Sequence, residues 1–200
     1  MILGLTGGIA SGKSTAVGIL RKLGARVVDC DELVHCLTDF EPEILNEIRT
    51  RFGETVFSSA GAFLRSELAA IILRDAGARR DLEMILHPAV IARCELLASD
   101  ARSRNEPLVI CAPLLIEADM LYLVDRVWLV SCTREQQLER LMRRNGMDRH
   151  TAELWISIQM PLEDKHKFAD DVIDNSGTSS EALVDEITKR WNTFVKSPNP

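Results

Sequence analysis

The sequence predicts an α/β fold in which a parallel five-stranded sheet is flanked by helices, with a helical insertion and a lid added to the core. Three observations support this prediction. Short apolar segments alternate with helical segments, which is typical of right-handed βαβ crossovers. A glycine-rich loop joins the first apolar segment to the first helix. Two intervals between strands are long enough to hold additional helices in a single domain of 200 residues.

The predicted strands are short apolar segments of a kind that parallel sheets bury on both faces. They comprise residues 1–6, 25–29, 107–112, 126–132 and 171–174. The first helix begins near Ser14, carries Val17 and Leu20 on one stripe, and is expected to end at Gly24. Further helical segments are predicted over residues 42–52, 63–75, 79–98, 135–144 and 181–194.

The interval between the second and third strands is too long for one crossover, and residues 32–104 are therefore expected to form a helical insertion. Within it, His87-Pro88 is expected to interrupt a helix, because a residue before proline avoids α geometry. A second insertion, the lid, is predicted over about residues 143–169. The core then comprises residues 1–31, 105–142 and 170–195, and the last five residues, 196–200, are expected to fray.

Composition excludes several classes of protein. A net charge of −6 and an aromatic content of 5% argue against a nucleic-acid-binding protein. The sequence has no apolar segment of membrane-spanning length, and its glycine-rich opening does not resemble a signal peptide, so we expect a cytoplasmic protein without a membrane partner. The five cysteines are odd in number and lack C-x-x-C spacing, and they are expected to be buried free thiols.

Residues 7–14 match the phosphate-loop pattern G-x-x-x-x-G-K-[ST] at every fixed position. Glycines allow successive N–H groups to face a phosphate, and the following helix presents its positive end to the same anion. Lys13 can reach the β- and γ-phosphates, and the Ser14 hydroxyl can bind Mg²⁺. The pattern predicts a P-loop NTPase-type fold that binds a nucleoside triphosphate or a close relative, together with Mg²⁺. The predicted nucleotide contacts are Gly8, Ile9, Ala10, Ser11, Gly12, Lys13, Ser14 and Thr15.

The class of P-loop protein follows from what the rest of the sequence lacks. No N-K-x-D pattern is present to read guanine, and the third strand runs into Pro113 instead of ending in a Walker-B aspartate. These absences favour a small-molecule kinase, in which an insertion binds the acceptor and a lid carries arginines. A kinase of another acceptor, such as a nucleoside monophosphate or a sugar acid, and a nucleotide-binding module without turnover remain as alternatives.

Acidic residues at strand ends are the candidate acid–base groups. Asp29 and Asp31 follow the second strand, where a carboxylate can accept the proton of an acceptor hydroxyl. Their alternative role is to cap a helix that begins near Glu32. Glu117 follows the third strand, where it could touch metal or acceptor or cap a short helix.

Basic residues after the fourth strand form the second group of candidates. Arg140, Arg143 and Arg144 share a helix face, from which they could stack on adenine and neutralise the transferring phosphoryl group. Alternatively, these arginines lie on a solvated helix face and pair with Glu135 and Glu139. For His87, the alternative to a functional role is a structural role at a helix kink.

Taken together, these motifs resemble the dephospho-coenzyme A kinase family over almost the whole chain. The resemblance is carried by segments 5–15, 28–31, 86–88 and 113–117, by Gly61, Phe63, Arg65 and Leu68, by Gln159 and Lys165, and by segment 169–177. Segment 28–31 resembles the D-x-D motif of the family, and segment 113–117 resembles its P-L-L-x-E motif. Trp155 departs from the family, which often carries arginine at this lid position.

The resemblance implies ATP-dependent phosphorylation of the ribose 3′-hydroxyl of dephospho-coenzyme A, the last step of coenzyme A biosynthesis. It implies Asp31, Lys13 and Arg140 as catalytic residues, with Arg140 and Asn175 also near the nucleotide. The implied acceptor contacts are Asp29, Asp31, Arg65, His87, Leu114 and Glu117. The sequence leaves the oligomeric state open, with a monomer as the default expectation.

Overall fold

The computed structural model describes residues 1–177 and 179–197. The final residues of the tail that is expected to fray, 198–200, lie outside these ranges. Lys196, which belongs to the same predicted tail, is instead the last residue of a helix. Within the described ranges, no helix combines the length and the hydropathy that crossing a membrane would require.

The sheet has five parallel strands, in the order β2-β3-β1-β4-β5. The strands are β1 (Ile2–Gly7), β2 (Arg26–Asp29), β3 (Leu108–Cys111), β4 (Arg126–Ser131) and β5 (Asp171–Asp174). β1 lies at the centre and all six of its residues are buried. The predicted α/β class with a parallel five-stranded sheet is confirmed.

The helices follow the strands along the chain and fill both long intervals between them. They are α1 (Lys13–Lys22), α2 (Cys30–Phe40), α3 (Pro42–Phe52), α4 (Arg65–Arg74), α5 (Ala76–Ser103), α6 (Arg134–Asn145), α7 (Arg149–Ser157), α8 (Leu162–Lys165) and α9 (Ser180–Lys196). Short 3₁₀ turns cover Glu54–Val56, Met120–Leu123 and His166–Phe168. As predicted, Gly24 closes the end of α1 with a φ of +83°, and the Ala25 N–H donates to the Leu20 carbonyl at 3.0 Å.

The described chain divides into two compact units. The first contains residues 1–30 and the chain from residue 94 onward, with the whole sheet. In its core, α1 and α9 pack on the sheet, and Trp128 lies edge-on to Phe194, which stacks on Trp191. The second unit, Asp31–Arg93, has its own apolar cluster around Ile48, Val56 and Leu86.

Two features differ from the sequence predictions. The helix predicted to break at His87-Pro88 is continuous through Pro88. Pro88 and Met84 both lie on the exposed side of α5, so the carbonyl that loses its N–H partner there can be hydrated. The cysteines are free, but Cys36 is exposed on α2, contrary to the expectation that all five would be buried.

Candidate active site

The phosphate loop connects the carboxyl end of β1 to the first turn of α1. Two residues take a left-handed conformation there, Ala10 at φ +57° and Gly12 at φ +109°. Gly12 needs its missing side chain, because a Cβ at this position would lie 2.1 Å from Nδ2 of Asn175. The helix then begins at Lys13, with the Thr15 N–H donating to the Gly12 carbonyl at 3.0 Å. The local geometry matches the loop that the sequence predicts.

Lys13 is folded back over the loop that contains it. Its Nζ donates to the carbonyl oxygens of Gly7 and Gly8 at 2.8 and 3.0 Å. The ammonium group therefore lies at the opening of the loop, where a phosphate oxygen can take the place of a carbonyl. Ser11, also in the loop, is fully buried, and its Oγ has no hydrogen-bond partner among residues 1–177 and 179–197. A buried hydroxyl without a protein partner is suited to a polar ligand.

Arg140 connects α6 to the loop and to the end of β5. Its guanidinium donates to the Ser11 carbonyl at 3.2 Å and to the Asn175 carbonyl at 2.8 Å. Asn175 donates through Nδ2 to the same Ser11 carbonyl at 2.8 Å. The structure thus brings the predicted nucleotide residues Arg140 and Asn175 onto the loop. Arg143 and Arg144 on the same helix are exposed, and Glu135 pairs with Arg149 at 3.0 Å instead.

Two glutamine side chains hold the backbone of Ile9. Nε2 of Gln137, which is buried on α6, donates to the Ile9 carbonyl at 2.7 Å. Oε1 of Gln159, which follows α7, accepts the Ile9 N–H at 2.8 Å. Gly8 leaves room for this contact, because a Cβ there would lie 2.4 Å from Nε2 of Gln137. The motif does not require glycine at this position, and Gln137 supplies the physical reason for it.

Glu117 belongs to a buried polar cluster after β3. It lies 2.9 Å from Nζ of Lys165, whose side chain has no exposed surface. The same Nζ donates to the Pro113 carbonyl at 2.6 Å, and Glu117 also accepts the Met160 N–H at 3.1 Å. A buried ammonium with a carboxylate and a carbonyl as partners is well compensated. In this arrangement the carboxylate of Glu117 anchors the chain around Lys165.

The other predicted acceptor residues occupy both units. In the first unit, Asp29 ends β2 level with Cys111 of β3, and Leu114 is half-buried after β3. In the second unit, Asp31 lies in the first turn of α2 and His87 is half-buried on α5.

Arg65, also in the second unit, begins α4 with its guanidinium bound to the end of α2. It donates to Oγ1 of Thr38 at 2.6 Å and to a carboxylate oxygen of Asp39 at 2.7 Å.

Two groups near the loop have shifted pKa values. Burial raises the pKa of the Cys132 thiol at the end of β4, although the positive charges of Arg140 and Lys13 oppose this effect. The pKa of Asp174, at the end of β5, is lowered by hydrogen bonds from the hydroxyl and the N–H of Ser176. Asp174 therefore stays ionised at neutral pH beside the nucleotide end of the site.

Comparisons with known proteins identify the family of this chain. The chain matches the family described as dephospho-CoA kinase over residues 1–181. The chain belongs to the dephospho-CoA kinase family. A dephospho-CoA kinase of Geobacter sulfurreducens is 43% identical over 191 residues, covering 95% of this chain and 96% of the relative. A dephospho-CoA kinase of Geobacillus kaustophilus is 37% identical, covering 98% and 99% of the two chains.

Solved structures agree with the fold. TT1252 of Thermus thermophilus has a TM-score of 0.80 at 30% identity, covering 98% of each chain. The dephospho-CoA kinase of Campylobacter jejuni has a TM-score of 0.70 at 23% identity, with 98% and 97% covered, and indicates a shared fold. As a member of the dephospho-CoA kinase family, the chain is a phosphotransferase of the last step of coenzyme A biosynthesis with ATP as co-substrate.

A magnesium ion bound by this dephospho-CoA kinase family member would take most of its ligands from the nucleotide and from water. The described residues contain no group of three His, Cys, Asp or Glu side chains that could hold a metal ion. Ser14 is exposed in the first turn of α1, where its hydroxyl is accessible. Mg²⁺ commonly binds through phosphates, waters and one or two protein oxygens. The donor set therefore fits a magnesium ion that enters with ATP.

Sequence reasoning missed Gln137 altogether and assigned no role to Gln159. A signal for Gln137 existed, because it lies on the apolar stripe of α6 beside Leu138 and Leu141. A polar side chain on a buried stripe needs a hydrogen-bond partner. No local pattern could have identified that partner, because Ile9 lies 128 residues away in the sequence.

Proposed function

We propose that this chain transfers the γ-phosphoryl group of ATP to the ribose 3′-hydroxyl of dephospho-coenzyme A. The observation that carries the proposal is the phosphate loop, clamped in place at the carboxyl edge of β1. Asp29 ends β2 at the same edge, since Leu5 and Asp29 are both level with Cys111 of β3. Ligands of parallel α/β sheets bind at this edge.

In the proposed reaction, the phosphate loop binds the triphosphate through its N–H groups and Lys13. A bond forms between the acceptor oxygen and the γ-phosphorus, while the bond from the γ-phosphorus to the bridging oxygen of ADP breaks. Asp31 orients the acceptor hydroxyl and takes its proton. Lys13 and Arg140 supply positive charge to the phosphoryl oxygens. Ser14 would hold Mg²⁺ through its hydroxyl, and the ion would supply further positive charge to the bound triphosphate.

The test of substrate is an ADP-release assay with a panel of acceptors: dephospho-coenzyme A, adenosine monophosphate, gluconate and shikimate. We expect turnover with dephospho-coenzyme A alone. Preferential phosphorylation of another acceptor would assign the chain a different substrate. ATP binding without turnover on any acceptor would indicate a nucleotide-binding module. The phosphorylated carbon of the product is identified by ³¹P–¹H correlation spectroscopy.

The test of mechanism is Asp31→Asn, which keeps the size and an acceptor oxygen but removes the basicity. We expect kcat to fall about 10²- to 10⁴-fold, the usual contribution of a general base. ATP affinity should be unchanged, because the phosphate loop is untouched. Asp29→Asn is the matched control, with a smaller fall in kcat, and with a larger effect on Mg²⁺ dependence if Asp29 lies near the metal. If Asp31→Asn loses activity only in parallel with its melting temperature, Asp31 stabilises the first turn of α2 and is not the base.

A further inference from the structure

Both polar groups of Ile9 are committed to side chains from distant parts of the chain. Its carbonyl accepts from Gln137 at 2.7 Å and its N–H donates to Gln159 at 2.8 Å. These two bonds fix the orientation of the loop before it reaches Gly12. An N–H held by a glutamine oxygen leaves the later amides of the loop to bind phosphate.

Gln159 begins a segment, residues 159–165, that is fixed to the sheet at a second point. The Met160 N–H donates to a carboxylate oxygen of Glu117 at 3.1 Å. At the other end of the segment, the buried Lys165 binds Glu117 and the Pro113 carbonyl. The segment therefore connects the loop after β1 with the turn after β3, two adjacent strands of the sheet.

The side chains around Ile9 strengthen this connection. Ile9 and Ala10 pack against an apolar cluster formed by α6 and α7, which consists of Leu138, Leu141 and Ala152. Apolar contacts of this kind hold the loop close to α7 but do not select one orientation of a peptide group. Hydrogen bonds are directional and do select one orientation, and Gln159 is the acceptor that reaches the Ile9 N–H.

We propose that Gln159 is a positioning residue for ATP binding, acting through Ile9 and held in place by Glu117 and Lys165. The proposal rests on the proposed function of the loop as the ATP site. Without Gln159, the loop samples several conformations, and only a fraction of the molecules can bind ATP. Apparent affinity falls in proportion to that fraction. At saturating ATP the phosphates themselves impose the binding conformation, and kcat is therefore retained.

The test variant is Gln159→Met, which keeps the length of the side chain and removes the acceptor oxygen. Ser157→Ala is the matched control, because Ser157 is exposed at the end of α7 and its hydroxyl donates to the nearby Leu154 carbonyl. In Gln159→Met we expect KM for ATP and the Kd of ATP to rise about 3- to 10-fold, the worth of one hydrogen bond. We expect kcat to be unchanged. In the nucleotide-free protein, the hydrogen of the Ile9 amide should exchange with solvent faster than it does in the unmodified protein.

Three results would overturn the proposal. A fall in kcat at constant KM would mean that Gln159 only supports folding. Faster hydrogen exchange at Ile9 with an unchanged Kd of ATP would mean that the hydrogen bond between Ile9 and Gln159 exists but does not contribute to ATP binding. Unchanged Ile9 exchange would mean that Gln159 does not hold the amide. The ATP titration needs no acceptor, so it tests Gln159 even if dephospho-coenzyme A is not phosphorylated, an outcome that would refute the proposed function alone.

Discussion

Replacing Gly8 by alanine should disrupt the contact between the phosphate loop and Gln137. A Cβ at Gly8 would lie 2.4 Å from Nε2 of Gln137 and 3.4 Å from Cγ of Leu162. Non-bonded atoms pack at about 3.5 Å or more, so the amide must withdraw by about 1 Å. Gly8 does not have a positive φ, and the cost of the substitution therefore arises from this contact and not from backbone strain.

The magnitude follows from the burial of Gln137, which is 5% exposed. Withdrawal of its amide breaks the bond to the Ile9 carbonyl and leaves a buried donor unpaired, at a cost of about 1–3 kcal/mol. Crowding of a packed site adds about 1 kcal/mol or more. We therefore expect the free energy of unfolding to fall by about 2–4 kcal/mol, and Tm by about 5–12 °C for a chain of this size.

The assay is thermal and urea unfolding of Gly8→Ala beside three further variants: Gly18→Ala, Gln137→Ala and the double variant Gly8→Ala/Gln137→Ala. Gly18→Ala is the control, because a Cβ on this α1 residue meets nothing within 4 Å. Alanine inside a helix should stabilise it by about 0.5–1 kcal/mol. Adding Gln137→Ala to Gly8→Ala should recover stability relative to the sum of the single effects. Equal melting of Gly8→Ala and the unmodified protein, or strict additivity in the double variant, would refute the placement of Gln137.

Further predictions concern stability. Thr133→Ala removes the cap that accepts the Gln136 N–H at the start of α6, and urea unfolding should show a loss of about 1 kcal/mol; an unchanged midpoint would contradict this. Lys165→Met leaves the largely buried Glu117 without its cationic partner and should lower the free energy of unfolding by about 2–4 kcal/mol. Adding Glu117→Leu should restore most of this loss in the double variant. A Lys165→Met protein as stable as the unmodified chain would contradict the prediction. Burial raises the pKa of Cys132, so its contribution to stability is present below the unfolded value of about 8.5 and is lost as pH rises toward the folded pKa. Above that pH, the Tm of Cys132→Ala should accordingly fall less steeply with rising pH than the Tm of the unmodified protein. Parallel plots of Tm against pH for the two proteins would refute the assignment.

Features that depend on adjacent residues could be predicted from the sequence. The phosphate loop needs glycine and lysine at fixed local positions, and the amino acids of residues 7–14 suffice to identify it. The strands follow from short apolar segments, because a parallel sheet buries both of its faces. The end of α1 at Gly24 follows from the ease with which glycine adopts a positive φ.

Features that depend on distant contacts needed the tertiary structure. The continuity of α5 through Pro88 was decided by exposure, since a carbonyl without its N–H partner is tolerable where water reaches it. The burial of Lys165 was decided by Glu117, which lies 48 residues away.

The hydrogen bonds that hold the phosphate loop were the feature least accessible to prediction from the sequence. Their side chains are Gln137, Arg140, Gln159 and Asn175. These side chains bond to loop residues 128 to 164 positions away in the chain. A glutamine in a sequence carries no indication of which peptide group it will bind, because a hydrogen bond is fixed by position and angle in space. The sequence by itself therefore determined that this protein has a phosphate loop between β1 and α1. Only the packing of α6, of the segment after α7 and of the end of β5 around that loop decided which side chains hold it.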